Sequence, residues 1–307
     1  MVVIAAIAFS GKAVIIKLAY RHGVDAVTLL ALRMLFSAPL FAFLAWWAVR
    51  DPAVQSLPGP DLRAVMALGL VGYYLASYFD FLGLQHITAG LERLILFVTP
   101  TFVLILSALL FKRRITQRDV AAVVLCYVGI GLVFGNDVLT QPGNVALGSF
   151  WVLMSALFYA AYLIGSGRLV GRVGSLRFAS YAGLVSCAAV VVHYLVVAPD
   201  AGLILAQPEP VYWLALLMAA VSTVLPIVLT SEGIRRVGAS HASMIASVGP
   251  IATIFLGFAF LGEAITAIQL AGCALVMAGV LAITLQKKAV LRGSCLTWVS
   301  LPFWGPI

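Results

Sequence analysis

The chain has 307 residues, of which 63% are hydrophobic and 10% charged, and its formal net charge is +8. Soluble domains carry about 25% charged residues, so this composition, with a mean hydropathy of +1.11, excludes water as the main solvent of the protein. The net positive charge does not call for nucleic acid, because its placement along the chain follows membrane topology.

Ten apolar runs are each about as long as a bilayer-crossing helix. They lie near residues 2–20, 27–49, 63–84, 87–111, 118–136, 145–165, 177–198, 211–233, 239–261 and 266–286. Backbone groups in lipid must be bonded within the segment, and no short alternating strands are visible, so the runs predict helices and not a barrel. The first run begins almost at Met1 without a basic leader and is read as a retained helix, not a signal peptide.

In chain order, the first run holds Lys12 near its middle and Lys17 further out, and the second holds Arg33 and Pro39. The third carries Tyr73, Tyr74, Tyr78 and Asp80; the fourth carries Glu92, Arg93, Thr99 and Pro100. Gly129, Gly131 and Gly135 lie in the fifth, followed by a polar turn at Asn136–Asn144. Tyr159 and Tyr162 lie in the sixth, His193 in the seventh, and Pro226 and Glu232 in the eighth. The ninth holds His241, Gly249 and Pro250, and the tenth Gly272, Ala274, Ala278 and Gly279. Cys126, Cys187, Cys273 and Cys295 show no metal-type spacing, and no disulfide is expected.

Alternating these spans across a membrane sorts the basic residues. Arg50, Arg63, Lys112, Arg113, Arg114, Arg118, Arg168, Arg172, Arg177, Arg235, Arg236, Lys287, Lys288 and Arg292 share the face of both termini. Arg21 and Arg93 fall on the other. Such a bias places both termini in the cytoplasm.

The chain also repeats itself at a shift of 150 positions: Gly83/Gly233, Ala89/Ala239, Ile95/Ile245, Pro100/Pro250, Ile115/Ile265, Thr116/Thr266, Ala121/Ala271 and Gly129/Gly279. Five helices per half is an odd number, so the second half must enter the membrane the other way up. The expected fold is an all-α integral membrane protein of ten transmembrane helices in two inverted five-helix repeats. The first repeat is residues 1–136, the outer-face linker 137–143, the second repeat 144–286, and the cytoplasmic tail 287–307. Matched proline-interrupted helices in two such halves point to a transporter binding site near the bilayer midplane.

The segments GLQHITAGLERLILFVTPTFVLILSALL (83–110) and GIRRVGASHASMIASVGPIATIFLGFAFLGEAIT (233–266) resemble the fourth and ninth helices of EamA-type carriers of the drug/metabolite transporter superfamily. FSGKAVIIKLA (9–19) and TLLALRMLFSAPL (28–40) resemble that family's first two helices. The resemblance spans residues 5–286 and implies export, less often import, of a small metabolite. The chain departs from the pattern at Phe111–Arg114, where the family has a Leu-Gly-Glu-Arg-like turn that the second half keeps as Leu261-Gly262-Glu263. It also has Ser10-Gly11 where the family often has Trp-Gly.

Charges inside membrane spans each cost about 2.5–3.5 kcal/mol on insertion scales and mark sites. Lys12, Lys17, Arg33, Asp80, Glu92 and Arg93 all fall in the first repeat. The bland expectation for Lys17, Arg33 and Arg93 is that they pair off and snorkel outward; the functional one is an electropositive vestibule for anionic metabolites. Lys12 lies too deep to snorkel and is the leading candidate for substrate contact. Asp80 and Glu92 would either bridge an arginine or carry a proton, since burial disfavours a charged carboxylate. Thr99–Pro100 and Gly249–Pro250 are the candidate helix breaks or hinges, and Tyr74, Tyr78, Tyr159 and Tyr162 candidate cavity aromatics. Gly131, Gly135, Ala274 and Ala278 read as helix-packing positions, where a homodimer through the fifth and tenth helices would form.

The expected function is therefore a secondary transporter in the inner or plasma membrane. It would move an amino-acid-like or organic-acid-like metabolite by alternating access, as an exporter coupled to protons or exchange. Efflux of cationic drugs on the same fold is the alternative. An intramembrane enzyme or a channel is remote, as no HExxH, nucleophile–base set, P-loop or filter pattern is visible. The partners expected are the small-molecule substrate and the lipid bilayer, without nucleic acid, cofactor or metal.

Overall fold

The computed structural model describes residues 2–50, 58–111, 116–141, 143–198, 200–226, 229 and 249–294. The described residues are helical, with no strand among them. In chain order the helices are α1 (Val2–Tyr20), α2 (Ala26–Val49), α3 (Gly59–Leu84), α4 (Ala89–Phe111) and α5 (Gln117–Thr140). They continue as α6 (Val145–Val173), α7 (Ser175–Val197), α8 (Glu209–Val224), α9 (Gly249–Leu261) and α10 (Ala267–Ser294). Helices α1 to α7 contain spans long and apolar enough to cross a membrane, and α8, α9 and α10 contain shorter apolar stretches within the described residues. Large apolar side chains such as Trp47, Leu109 and Val196 lie exposed on the outside, as a lipid-facing surface requires.

Polar residues set the helix starts by satisfying first-turn N–H groups. Asp25 accepts from Val27 and Thr28, Thr88 from Leu91, and Asn144 from Leu147. Thr116 and Asp119 form a reciprocal capping box at α5, and Thr266 and Gln269, 150 positions later, form another at α10. Two further features recur at the same shift. Helices α3 and α8 both open with proline, at Pro58/Pro60 and Pro208/Pro210. Both also contain a π-helical turn, Leu70–Leu75 in α3 and Ala220–Val224 in α8.

The packing obeys the same exchange of halves. Helix α1 lies on α8 and α9, while its counterpart α6 lies on α3 and α4. The counterparts α2 and α7 pack together, as do α5 and α10. At the α5–α10 crossing a Cβ on Gly129 would sit 2.6 Å from the Gly272 carbonyl, and one on Gly279 2.6 Å from the Ala122 carbonyl. Exchanging each residue for its repeat partner, Gly129 for Gly279 and Gly272 for Ala122, turns the first contact into the second. Between them Cys126 Sγ meets the carbonyl of Val276 at 3.6 Å, a residue against its own repeat partner. Partner numbers fall as α5 numbers rise, so the two helices run antiparallel.

Several expectations need correction. A Cβ added at Gly131 or Gly135 would meet nothing within 4 Å, and Ala274 and Ala278 are exposed, so the four face away from the α5–α10 contact. The contact uses the glycines that let two backbones touch. Helix α5 runs through Thr140, so part of the expected 137–143 linker is helical. The reason is Asp137, which is buried and accepts the Thr88 hydroxyl at 2.8 Å. Helix α10 likewise continues to Ser294, into the expected 287–307 tail. Glu232, His241 and the repeat partners Gly233, Ala239 and Ile245 lie outside the described residues, as does the stretch 295–307.

Candidate functional site

Where α1, α3 and α4 meet, Lys12 Nζ lies 2.5 Å from Asp80 Oδ2 and 3.5 Å from Glu92 Oε1. Lys12, Asp80 and Glu92 are 7%, 1% and 0% exposed. One ammonium therefore serves two carboxylates in a dry setting. Among the described residues neither acid bridges an arginine, and Lys12 is committed within the protein instead of standing free for a substrate. Asp80 Oδ1 and both Glu92 oxygens are buried without a hydrogen bond.

Arg93 follows Glu92 but points to a different set of groups. It is buried, with its guanidinium 4.9 Å from the Phe9 ring centre and 5.7 Å from that of Phe97, both suited to cation–π contact. Its Nη2 donates to Ser10 Oγ at 3.4 Å, and its Nε has no hydrogen-bond partner among the described residues. No carboxylate lies within 4.0 Å of it among the described residues. Snorkelling is therefore the wrong expectation for Arg93, as it is for Arg33: both are held inside the bundle.

The second half closes on this arginine through its proline break. Ser10 Oγ lies 3.0 Å from the carbonyl oxygen of Gly249, and Thr253 Oγ1 donates to the same oxygen at 3.1 Å. A Cβ on Gly249 would stand 2.7 Å from Arg93 Nη2 and 3.4 Å from Ser10 Oγ, so a larger residue there would displace the guanidinium from its present place. On α6, Tyr159 bears electrostatically on Arg93. Phe9 and Tyr159, 150 positions apart, thus bring an aromatic ring from each half to bear on Arg93.

The other break is self-contained. Helix α4 turns at Phe97–Val98, and Pro100 supplies no N–H to the Leu96 carbonyl. The Thr99 hydroxyl donates to that carbonyl at 2.6 Å, so it does not face a cavity unpaired.

Arg33 reaches the other half at the π turn of α8, where its Nε donates to Thr223 Oγ1 at 3.0 Å. Thr223 in turn donates to the Met218 carbonyl at 3.0 Å. Lys17 donates to the Ile87 carbonyl at 2.6 Å and lies 3.7 Å from Glu263 Oε1. Glu263 also accepts the Ala89 N–H at 3.0 Å, and Arg21 donates to the Leu261 carbonyl. The far end of α1 thus ties the α3–α4 connection to the α9–α10 turn. Gly262, at a φ of 71°, makes that turn and aims Glu263 at α1.

Of the candidate aromatics, Tyr162 donates to the Tyr73 hydroxyl at 3.2 Å and stacks on Tyr159. Tyr74 and Tyr78 instead pack on His193 of α7, with ring centres 5.7 and 4.8 Å away. Phe9, Thr253 and Thr223 are site residues with no individual mark in the sequence, and Ser10 was marked only as a departure from the family's Trp-Gly. Glu263 was visible only as the last residue of the Leu261-Gly262-Glu263 turn.

The model of the EamA-like transporter family matches residues 1–135 and 146–285, and that of solute carrier family 35 matches residues 75–205. The chain is 35% identical over 275 residues to the uncharacterized transporter YcbK of Bacillus subtilis (strain 168), covering 88% of this chain and 87% of that one. It is 26% identical over 241 residues to an uncharacterized transporter of Archaeoglobus fulgidus, covering 78% and 82%. A crystal structure titled only as that of a protein shares the fold, with a TM-score of 0.66 at 18% identity over 94% of this chain and 97% of that chain. With most of its length matched and its helices long and apolar enough to cross a membrane several times over, the chain belongs to the EamA-like transporter family and is a multi-pass membrane transporter.

Proposed function

We propose that the chain is a secondary carrier of the plasma membrane that exports a small carboxylate-bearing metabolite, amino-acid-like or organic-acid-like, by alternating access. The observation that carries the substrate class is Arg93. A buried guanidinium with no carboxylate within 4.0 Å among the described residues is costly unless something anionic joins it, and its planar fork suits a carboxylate. It sits between Phe9 and Phe97, against Ser10 and Gly249, where the first half meets the second. Asp80 and Glu92 are engaged with Lys12, which disfavours a cationic drug as cargo. The anion contact thereby moves from Lys12 to Arg93.

The exchange of halves supports two inverted five-helix repeats, 1–136 and 144–286, as the moving bodies. Repeat-related helices α5 and α10 run antiparallel, and their contacts interconvert when each residue is exchanged for its repeat partner. Both termini would then share a face, which the basic residues mark as cytoplasmic. The tie from Lys17 and Arg21 to Glu263 and Leu261 would close the outer face in this conformation. The driving energy would be a proton gradient or exchange. The outward-facing Gly131, Gly135, Ala274 and Ala278 are where a homodimer would form.

Ligand-dependent melting tests the reading. A ligand that binds only the folded protein raises its melting temperature. Wild type and Arg93→Leu would be screened in detergent against amino acids, organic acids and cationic drugs. A carboxylate compound that stabilises wild type but not the variant supports the assignment. Stabilisation by cations alone, unchanged in Arg93→Leu, overturns it.

A further inference from the structure

Asp80 and Glu92 hold more oxygen atoms than their surroundings can satisfy. Asp80 Oδ2 takes Lys12 at 2.5 Å. The remaining Asp80 oxygen and both Glu92 oxygens are buried and unbonded, with Lys12 3.5 Å from Glu92 Oε1. A dry ionised carboxylate without hydrogen bonds costs several kcal/mol, and two carboxylates sharing a site do not both ionise readily.

The other charged or titratable groups nearby leave these oxygens unbonded. On α4 itself Arg93 bears electrostatically on Glu92 and Asp80 but donates to Ser10. From α1, Tyr20 bears on Asp80 but donates to the Phe81 carbonyl. From α2, Arg33 bears on Asp80 but donates to Thr223. From α6, Tyr159 bears on Arg93. From α5, Asp137 is occupied by Thr88 and Asn136. Ile254 and Gln269 of α9 and α10 approach α4 at Gly90 and bring no titratable group. Lys17 lies further along α1 with Ile87 and Glu263.

We propose that Glu92 is the proton-carrying group of this carrier, holding one proton in this conformation while Lys12 serves Asp80. It rests on the carrier reading above for its role, though not for its test. A protonated Glu92 turns one orphaned acceptor into a donor, and the adjacent unbonded Asp80 oxygen can accept it. When the site opens to water, the Glu92 O–H bond breaks and the proton passes to water as hydronium. The carboxylate left behind then draws Lys12 across from Asp80. Because α1 leans on α8 and α9 of the other half, that shift of Lys12 links the proton to the contact between halves.

Infrared spectra of the purified protein test this without a substrate. A protonated carboxylic acid has a carbonyl stretch well separated from that of a carboxylate. Wild type at neutral pH should show such a band that shifts when glutamate alone carries carbon-13. The band should vanish as pH rises and be missing in Glu92→Gln. The chain contains only four glutamates, Glu92, Glu209, Glu232 and Glu263, so the label is nearly site-specific. Absence of the band at neutral pH, a shift with labelled aspartate alone, or persistence of the glutamate band in Glu92→Gln overturns the proposal. Should Glu92→Gln not fold, the labelled wild type decides by itself. A proton found on Glu92 in a protein that moves nothing would overturn the carrier reading and leave the proton site standing.

Discussion

Cys126 and Val276 are repeat partners, and they touch: the thiol of one lies 3.6 Å from the backbone carbonyl of the other. A residue that meets its own counterpart marks the place about which the two halves exchange. The backbone contacts on either side, Gly129 with Gly272 and Gly279 with Ala122, are images of one another.

Larger side chains at those two glycines should therefore cost alike. Gly129→Leu and Gly279→Leu would each force α5 and α10 apart, an overpacking penalty of about 1–3 kcal/mol. Gly131→Leu and Gly135→Leu, which face outward, should leave monomer stability within about 0.5 kcal/mol. Equilibrium denaturation in detergent measures both, and equal losses at all four positions would contradict the assignment of the interface.

The close approach at Gly249 makes a separate prediction. Gly249→Ala places a methyl against the end of the Arg93 side chain, 2.7 Å from Nη2. That end can swing aside, so the fold should survive with a small change in melting temperature. Ligand affinity should fall at least about tenfold, equivalent to about 1.4 kcal/mol, because the guanidinium no longer sits against Ser10. Titration of the stabilising compound by calorimetry checks it.

Thr223 serves Arg33 as acceptor while donating to Met218 across the π turn. Thr223→Val keeps the shape and removes the hydroxyl, leaving the buried guanidinium with one bond fewer. A loss of about 1–3 kcal/mol is expected. Thr223→Ser, which retains the hydroxyl, should recover most of it in the same denaturation measurement.

Lys17 and Glu263 hold the end of α1 against both connecting turns. The pair is part-exposed, so its contribution to stability is small, up to about 1 kcal/mol, and its effect should appear in accessibility. In a cysteine-free background with Thr253→Cys, a membrane-impermeant maleimide added outside whole cells should react faster when Lys17→Met or Glu263→Gln is also present. Unchanged labelling would show that the tie does not close the outer face.

The bundle was legible in the sequence because the bilayer forces long apolar helices, and their ends are set by residues such as Asp25, Thr88 and Thr116. The repeat was legible where identities survive, as at Pro100/Pro250. The π turns at Leu70–Leu75 and Ala220–Val224 were not, because a π turn changes the backbone register without changing residue type. The six charges within the first-repeat spans, five of them buried, were identifiable by the cost of placing them in lipid. Which would pair was not, because pairing depends on how α1 crosses α3 and α4: Lys12 joined Asp80 and Glu92, and no acid lies within 4.0 Å of Arg93 among the described residues. The glycines of the α5–α10 contact, Gly129, Gly272 and Gly279, were not told apart from the outward-facing Gly131 and Gly135, since glycine spacing marks a flat face without saying which neighbour it meets.

The central claim is that Arg93 holds the carboxylate of a transported metabolite at the contact between halves. Counterflow in proteoliposomes tests it most directly: vesicles loaded with an unlabelled amino or organic acid are diluted into trace labelled compound, with wild type, Arg93→Leu and Arg93→Lys compared. Saturable, transient accumulation by wild type is predicted, lost in Arg93→Leu and weakened in Arg93→Lys, which keeps the charge without the fork. Accumulation that proceeds equally well in Arg93→Leu, or that occurs only for cationic compounds, would contradict it.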